Sequence, residues 1–205
     1  MSYIDDTKYA AENLISLFSH EDKKIKEQRN KLEKSHAKIT VNNWDFQTSS
    51  INEDFSEKYE MHAYARLSES HNAKRKLELE ITQLQTSIDA KYLAVQALCG
   101  AILQIAKQGI SVVHNGIDNC PNGRLLKEIP LKNIVWSARN QALHYEDTKI
   151  NNKTAKLFTC LEDEFGSRFA LSEHVGKSRA KQVIDLLEWY NYSQYCKDMR
   201  ELGLG

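Results

Sequence analysis

The sequence predicts an all-α protein: a helical bundle with a long, coiled-coil-like N-terminal helical arm. All eight glycines and both prolines lie at or beyond Gly100, so the first 99 residues lack the strongest helix breakers. In the same part of the chain, apolar residues recur with the seven-residue and 3-4 spacing of coiled coils and helix bundles. Such spacing is typical of helices that bury one face against another helix.

The first predicted helix covers about residues 5–38. Its seven-residue repeat is strict and comprises Ala11, Phe18, Ile25, Leu32 and Ile39. The segment TVNNWDFQTSS, at 40–50, is predicted to be a linker. It ends in a capping box, Ser50 with Glu53, which indicates a helix start near Ile51.

A second long helix is predicted over about 70–113. One of its heptad positions holds Leu77, Leu84, Leu98 and Ile105, and the partner position holds Ile81, Ile88, Val95 and Ile102. At 1.5 Å per residue this helix spans roughly 66 Å, and it would be longer still if the helix from Ile51 continues into it. Part of it would then protrude, or pair with the first helix as an antiparallel arm. We therefore divide the chain into an arm, 1–69, and a bundle, 70–205.

Shorter elements are expected after residue 113. The loop HNGIDNCPNG is followed by predicted helices at about 123–128, 131–147, 151–165 and 177–200, the second of them with Asn133 as N-cap. Within 154–175 two structures are open: a helix closed by Gly166, or a hairpin that turns at Phe165–Gly166.

Composition restricts the classes of function. Basic and acidic residues number 28 each, so the formal net charge is zero, and the composition indicates at most a local basic patch for nucleic acid. The acidic, amphipathic N-terminus is unlike a signal peptide, and we expect no membrane-spanning run, hence a cytoplasmic protein without membrane contact. The four cysteines form no CxxC pair, so we expect free, mainly buried thiols and no metal site or cofactor.

The segment NIVWSARNQALHYED, at 133–147, carries the candidate site. Its apolar residues predict a core-facing helix face: Ile134, Val135, Ala138, Ala142 and Leu143. The apolar pattern does not explain Arg139, Asn140 and His144, which are polar residues of the same segment. Three other Arg–His pairs have similar spacing, Arg29/His36, Arg66/His71 and Arg168/His174, but they lie in polar or loop segments. A partly buried arginine is costly unless it has a partner or a role.

Helix geometry constrains the three residues. Asn140 and His144 lie about 40° apart on an ideal helix, whereas Arg139 and His144 diverge by about 140°. Two copies meeting at a twofold axis would bring the side chains together in one cleft. The alternative is structural: a core histidine, with the arginine paired to Glu146 or another acid.

Arg139, Asn140 and His144 resemble the R-N-x-x-x-H form of the HEPN superfamily motif. The resemblance covers about 70–200 and implies a bundle of four to five helices with KSRAKQVIDLLEWYNYSQYCKDM as its closing helix. It also implies a metal-independent, homodimeric endoribonuclease acting on RNA, in toxin–antitoxin or antiviral defence biology, with a neutralising or activating protein partner. Arg139 would hold the scissile phosphate, Asn140 would orient the arginine or the phosphate, and His144 would act as general base or acid.

The basic residues near the motif and the N-terminal arm suggest an RNA-binding patch and two alternative functions. A local RNA-binding patch is expected from Arg124, Lys127, Lys132 and Lys149. The competing hypothesis is a non-catalytic dimerisation or adaptor protein in which Arg139 and His144 are structural. A third hypothesis is a nuclease whose arm binds a partner and holds the site inactive.

Overall fold

The chain is all-α. The computed structural model describes residues 2–48, 57–147 and 150–205, and these contain six α-helices and one small antiparallel sheet of two strands. The helices are α1 (Tyr3–Thr48), α2 (Glu57–His114), α3 (Leu131–Leu143), α4 (Asn152–Phe165), α5 (Ala180–Leu187) and α6 (Tyr192–Glu201). The strands are β1 (Leu125–Leu126) and β2 (Ile129–Pro130).

The two long helices extend further than predicted. Helix α1 continues through the expected linker to Thr48, so the linker prediction is wrong for residues 40–48. No glycine or proline interrupts this stretch, and its asparagines and threonines only weakly disfavour a helix. Helix α2 runs without a break from Glu57 through the expected start near residue 70. The predicted capping box lies outside the described residues.

Contacts group the chain into two compact units. Unit 1 comprises Met1–Asp22 and Leu93–Gly205, and unit 2 comprises Lys23–Tyr92. This division differs from the boundary expected at residue 69, because Ile4, Ala11 and Phe18 are buried in unit 1. The beginning of the chain is therefore part of the bundle core.

The core of unit 1 is built from the heptad residues of α1 and α2 and from the later helices. Val95, Ile102 and Phe18 are fully buried, as the seven-residue spacing predicts. The remaining core comes largely from Ile134, Val135, Phe158, Leu161, Val183, Leu187, Trp189, Tyr195 and Met199. The C-terminus is anchored as well, since the backbone N–H of Ile4 donates to the carbonyl of Leu204 at 3.3 Å.

Unit 2 is formed by segments of α1 and α2. Ile25 and Ile88 are buried in it, both at heptad positions. The Gln28 side-chain amide donates to Ser87 Oγ at 3.0 Å, and Lys91 Nζ donates to Gln28 Oε1 at 3.2 Å. The two helices thus pair within one chain here, which is one of the two arrangements that the sequence left open.

The predictions for the second half hold in part. The helix predicted at 123–128 is wrong, because β1 and β2 form a tight hairpin there with Lys127 at φ 55° in its turn. The helix predicted at 177–200 is two helices, α5 and α6, separated at Glu188, which has the left-handed φ of 59°. The helix alternative for 154–165 is confirmed: Asn151 caps α4, and Gly166 ends it at φ 93°.

Helix α2 also contains the one described stretch with membrane-like composition. An 18-residue window within Asn72–His114 is long and apolar enough for a span, contrary to the expectation that no such run exists. The window is 39% buried inside the protein. Because Cys99, Ile102 and Ala106 of this helix are core residues of unit 1, its apolarity has an explanation in the fold.

Candidate functional site

Helix α3 positions the candidate residues, and it ends before the last of them. It begins after Pro130 rather than at the predicted N-cap Asn133, and it stops at Leu143, leaving His144 as the C-cap. Ile134, Val135 and Ala138 are buried as predicted. Leu143 is 59% exposed, so its assignment to the core face was wrong. The end of α3 therefore lies at the surface, with His144 at the beginning of a turn.

A buried glutamine fixes α3 against the chain segment before α5. The Gln141 side-chain amide donates to the carbonyl of Lys177 at 3.0 Å, and its oxygen accepts from the backbone N–H of Arg179 at 2.8 Å. Gln141 is 3% exposed, and its bond to Arg179 is buried, whereas its bond to Lys177 is only partly so. Because Gln141 directly follows Asn140, these bonds also hold the candidate residues in place.

Arg139 is half-buried and is held by two neighbours. Its Nε donates to Oε1 of Gln104, which lies on α2. Its Nη1 donates to Oδ1 of Asn140 at 3.5 Å, a long contact. The predicted alternative partner, Glu146, is not the residue it contacts. Gln104 was not foreseen, since nothing in its spacing distinguishes it from other polar residues of α2.

His144 is exposed and paired with an acid. Its side chain is 55% accessible, which rules out the core histidine of the structural alternative. Nδ1 lies 2.9 Å from Oδ2 of Asp147, while the backbone N–H of His144 donates to the carbonyl of Asn140 at 3.1 Å. The sequence indicated Asp147 only as the end of a helix, although its i+3 position relative to His144 is the spacing of a contact.

Asn140 and His144 line the same pocket, as their shared helix face predicts. The pocket measures about 320 Å³. Its described lining residues come from α3, the following turn and the beginning of α4: Asn140, Gln141, His144, Asp147, Ile150, Asn151 and Thr154. Arg139 is not among them, in agreement with its divergence from His144 on the helix. One copy of the motif thus brings the amide and the imidazole together and leaves the guanidinium beside the pocket wall.

The predicted basic patch is divided among different roles. Arg124 donates from Nε and Nη2 to the two carboxylate oxygens of Asp198, at 2.8 and 3.0 Å, and also to the carbonyl of Leu187. This internal pairing gives Arg124 a structural role, and RNA binding by Arg124 stays a prediction. Lys132 donates one bond to the carbonyl of Cys120 at 2.7 Å. Lys127 is exposed in the hairpin turn.

Lys149, the fourth residue of the predicted basic patch, lies outside the described residues. A lysine that the sequence did not single out, Lys107 of α2, places its Nζ 4.4 Å from the ring centroid of Trp136 on α3. Trp136 and Asn140 are four residues apart and lie on adjoining parts of the same helix face. A cation and an aromatic ring therefore lie along the helix that carries the motif.

The cysteines agree with the expectation of free, mainly buried thiols. Cys99, Cys120 and Cys196 are buried, Cys160 is exposed, and all four are free. Burial raises the pKa of the Cys99 thiol well above its usual value, which keeps it protonated. Among the residues that the structure describes, no group of three or more histidine, cysteine, aspartate or glutamate side chains is placed to hold a metal ion.

Comparisons of the chain with known protein families, with curated proteins and with solved structures find no match.

Proposed function

We propose that this chain is a metal-independent endoribonuclease of the HEPN type, acting in defence or toxin–antitoxin biology. The observation that carries the proposal is the pocket of about 320 Å³ that Asn140 and His144 line together. Arg139 adjoins it through the 3.5 Å contact of its Nη1 with Asn140 Oδ1. A pocket of this volume is at the small end of the range of about 300–1,000 Å³ for ligand sites.

The three side chains supply the functions that RNA transesterification requires. His144 takes the proton of the ribose 2′-hydroxyl, and the 2′-oxygen then forms a bond to the adjacent phosphorus. The P–O5′ bond breaks, and the leaving 5′-oxygen receives a proton from a second imidazole or from water. Imidazole exchanges protons readily at neutral pH, which suits it to this role. The products are a 2′,3′-cyclic phosphate and a 5′-hydroxyl.

The position of Arg139 supports a site shared by two copies of the chain. The described lining residues of the pocket include no lysine or arginine, although a phosphate that gains charge needs a cation close by. A homodimer that faces the ends of two α3 helices toward each other would bring the partner's guanidinium to this pocket. The guanidinium fork suits the two non-bridging phosphate oxygens.

The test is RNA cleavage in EDTA by the full chain and by Arg139→Ala and His144→Ala variants. Arg29→Ala and His36→Ala are matched controls, because that pair has the same R-N motif start and permitted spacing but is exposed in unit 2. Circular dichroism before each assay separates loss of folding from loss of catalysis.

We expect the wild type and both controls to cleave RNA and to leave cyclic-phosphate ends. His144→Ala is expected to lose about 10²–10⁴-fold in rate, the usual contribution of general acid–base catalysis. Equal cleavage by wild type and a folded His144→Ala variant would refute the assignment. So would complete loss of cleavage in a folded Arg29→Ala or His36→Ala variant.

One observation favours the adaptor hypothesis as the second candidate. The bond from Arg139 to Gln104 joins α3 to α2, so Arg139 has a structural partner independent of any substrate. If this is its only role, Arg139→Ala lowers the melting temperature more than Arg29→Ala does, and the wild type cleaves no RNA. If Arg139 is catalytic, cleavage falls much more than stability does.

A further inference from the structure

We propose that Asp147 is a positioning residue of this site. Its carboxylate holds His144 in the orientation and tautomer that leave Nε2 free to exchange protons with RNA. The inference rests on the proposed function, and it adds a fourth residue that the R-N-x-x-x-H motif does not contain.

The contact itself is direct and lies at the pocket. Asp147 Oδ2 is 2.9 Å from Nδ1 of His144, within the range of a charge-assisted hydrogen bond. Both residues line the pocket together with Asn140. Since an ionised carboxylate only accepts hydrogen bonds, Nδ1 must carry the proton in this contact. Nε2 has no hydrogen-bond partner among the described residues.

The turn after α3 brings the two side chains together. The helix ends at Leu143, and the backbone N–H of Asp147 donates to the carbonyl of His144 at 3.1 Å, which closes the turn. The adjacent acid has a different partner: the carboxylate of Glu146 hydrogen-bonds the hydroxyl of Tyr145 and raises the pKa of that phenol. Of the two consecutive acids, only Asp147 engages the imidazole.

The effect of this contact is on geometry more than on charge. The His144 and Asp147 side chains are 55% and 58% accessible, so water screens their Coulomb attraction. A carboxylate on Nδ1–H nevertheless selects one neutral tautomer and limits rotation of the ring. An amide in its place can donate to Nδ1 and thereby favour the opposite tautomer, in which Nε2 carries the proton and cannot accept another.

Two measurements on the full chain test the role. The first is the tautomer of neutral His144, read from ¹⁵N chemical shifts, with the signal assigned by its absence in His144→Gln. The second is the steady-state kinetics of RNA cleavage. Both compare wild type with Asp147→Asn, with the conservative variant Asp147→Glu, and with Glu146→Gln as the matched control.

We expect the Nδ1–H tautomer in wild type and in Glu146→Gln, and a shift to Nε2–H in Asp147→Asn. The kcat of Asp147→Asn should fall about 10- to 100-fold, below the loss seen for buried His–Asp pairs because this pair is exposed, while KM changes little. Compared with Asp147→Asn, Asp147→Glu should have more of the Nδ1–H tautomer and a higher kcat, since its carboxylate can still reach Nδ1.

If His144 keeps the same tautomer in Asp147→Asn, Asp147 does not determine it, and the inference is refuted. A changed tautomer with unchanged kcat would overturn the catalytic role of Asp147 while the nuclease assignment stands. If wild type shows the expected tautomer but cleaves no RNA, the proposed function fails, and Asp147 is only a structural element of the turn. Because the tautomer is measured without substrate, failure of the inference and failure of the proposed function remain distinguishable.

Discussion

The substitution Asp198→Asn should destabilise unit 1 through four hydrogen bonds that converge on one fully buried carboxylate. Oδ1 accepts from Arg124 Nε at 2.8 Å and from Gln194 Nε2 at 3.2 Å. Oδ2 accepts from Arg124 Nη2 at 3.0 Å and from the Trp189 indole at 2.7 Å. Asparagine has nearly the same shape but only one acceptor oxygen. Whichever way the amide is turned, its NH₂ group therefore faces two donors.

The loss in the free energy of unfolding depends on which of the four donors can find another hydrogen-bond partner. Trp189 is fully buried, so the amide should keep its oxygen toward the indole and turn its NH₂ toward Arg124 Nε and Gln194. Breaking a buried ion pair costs about 3–5 kcal/mol. The Arg124 side chain is 27% accessible and can regain some hydration, which places the expected loss near the lower limit, about 3 kcal/mol. For a chain of this size that corresponds to a fall in Tm of roughly 6–12 °C.

The assay is thermal and urea unfolding followed by circular dichroism and by Trp fluorescence. Glu201→Gln is the matched control, because Glu201 is an exposed acid on the same helix, α6, and its loss should change stability by less than about 0.5 kcal/mol. A loss for Asp198→Asn no larger than that of the control would refute the structural assignment of the Arg124–Asp198 pair.

Two further predictions concern thiol reactivity and close packing. In the native protein a thiol reagent should modify only Cys160 promptly, because the other three cysteines are buried; prompt modification of more than one thiol, counted by mass spectrometry, would contradict this. Gly109→Ala should lower stability by about 1–3 kcal/mol, since its Cβ would lie 2.6 Å from Tyr3 Cε1 and 2.8 Å from Leu204 Cδ1. Gly100→Ala, whose nearest new contact is at 3.9 Å, should instead stabilise α2 by about 0.5–1 kcal/mol. Urea unfolding measures both, and equal effects would contradict the packing argument.

Heptad spacing predicted the long helices because it reports which positions are buried, and Ala11, Phe18, Ile25, Ile88 and Val95 are indeed buried. It could not predict where the helices end. Without glycine or proline, polar residues such as those at 40–48 continue a helix when tertiary structure permits.

Short elements of the second half were less predictable for a different reason. Strands β1 and β2 have two residues each, too few for any periodicity to be visible. The break between α5 and α6 occurs at Glu188, a residue that rarely adopts positive φ, and no glycine marks the position. These features depend on tertiary contacts, such as the burial of Trp189 against Asp198.

The candidate site was predictable to the extent that it depends on helix geometry. A rotation of about 100° per residue places Asn140 and His144 on one face and Arg139 away from it, and the pocket lining agrees. The contacts that hold the site, from Gln104 and Asp147, come from another helix and from a turn. Gln104 lies on α2, so the spacing of residues within α3 carries no information about it. The turn that brings Asp147 to His144 was not predicted, because the helix was expected to continue to residue 147.

We propose above that Arg139, Asn140 and His144 form a site for 2′-hydroxyl attack on RNA. The most direct measurement compares cleavage, by the wild-type chain in EDTA, of one RNA and of the same sequence 2′-O-methylated throughout. We expect the RNA to be cut to 2′,3′-cyclic phosphate and 5′-hydroxyl ends. The methylated strand should stay intact, because its 2′-oxygen has no proton to give and cannot act as the nucleophile. Cleavage of both strands, or of neither, would contradict the proposal.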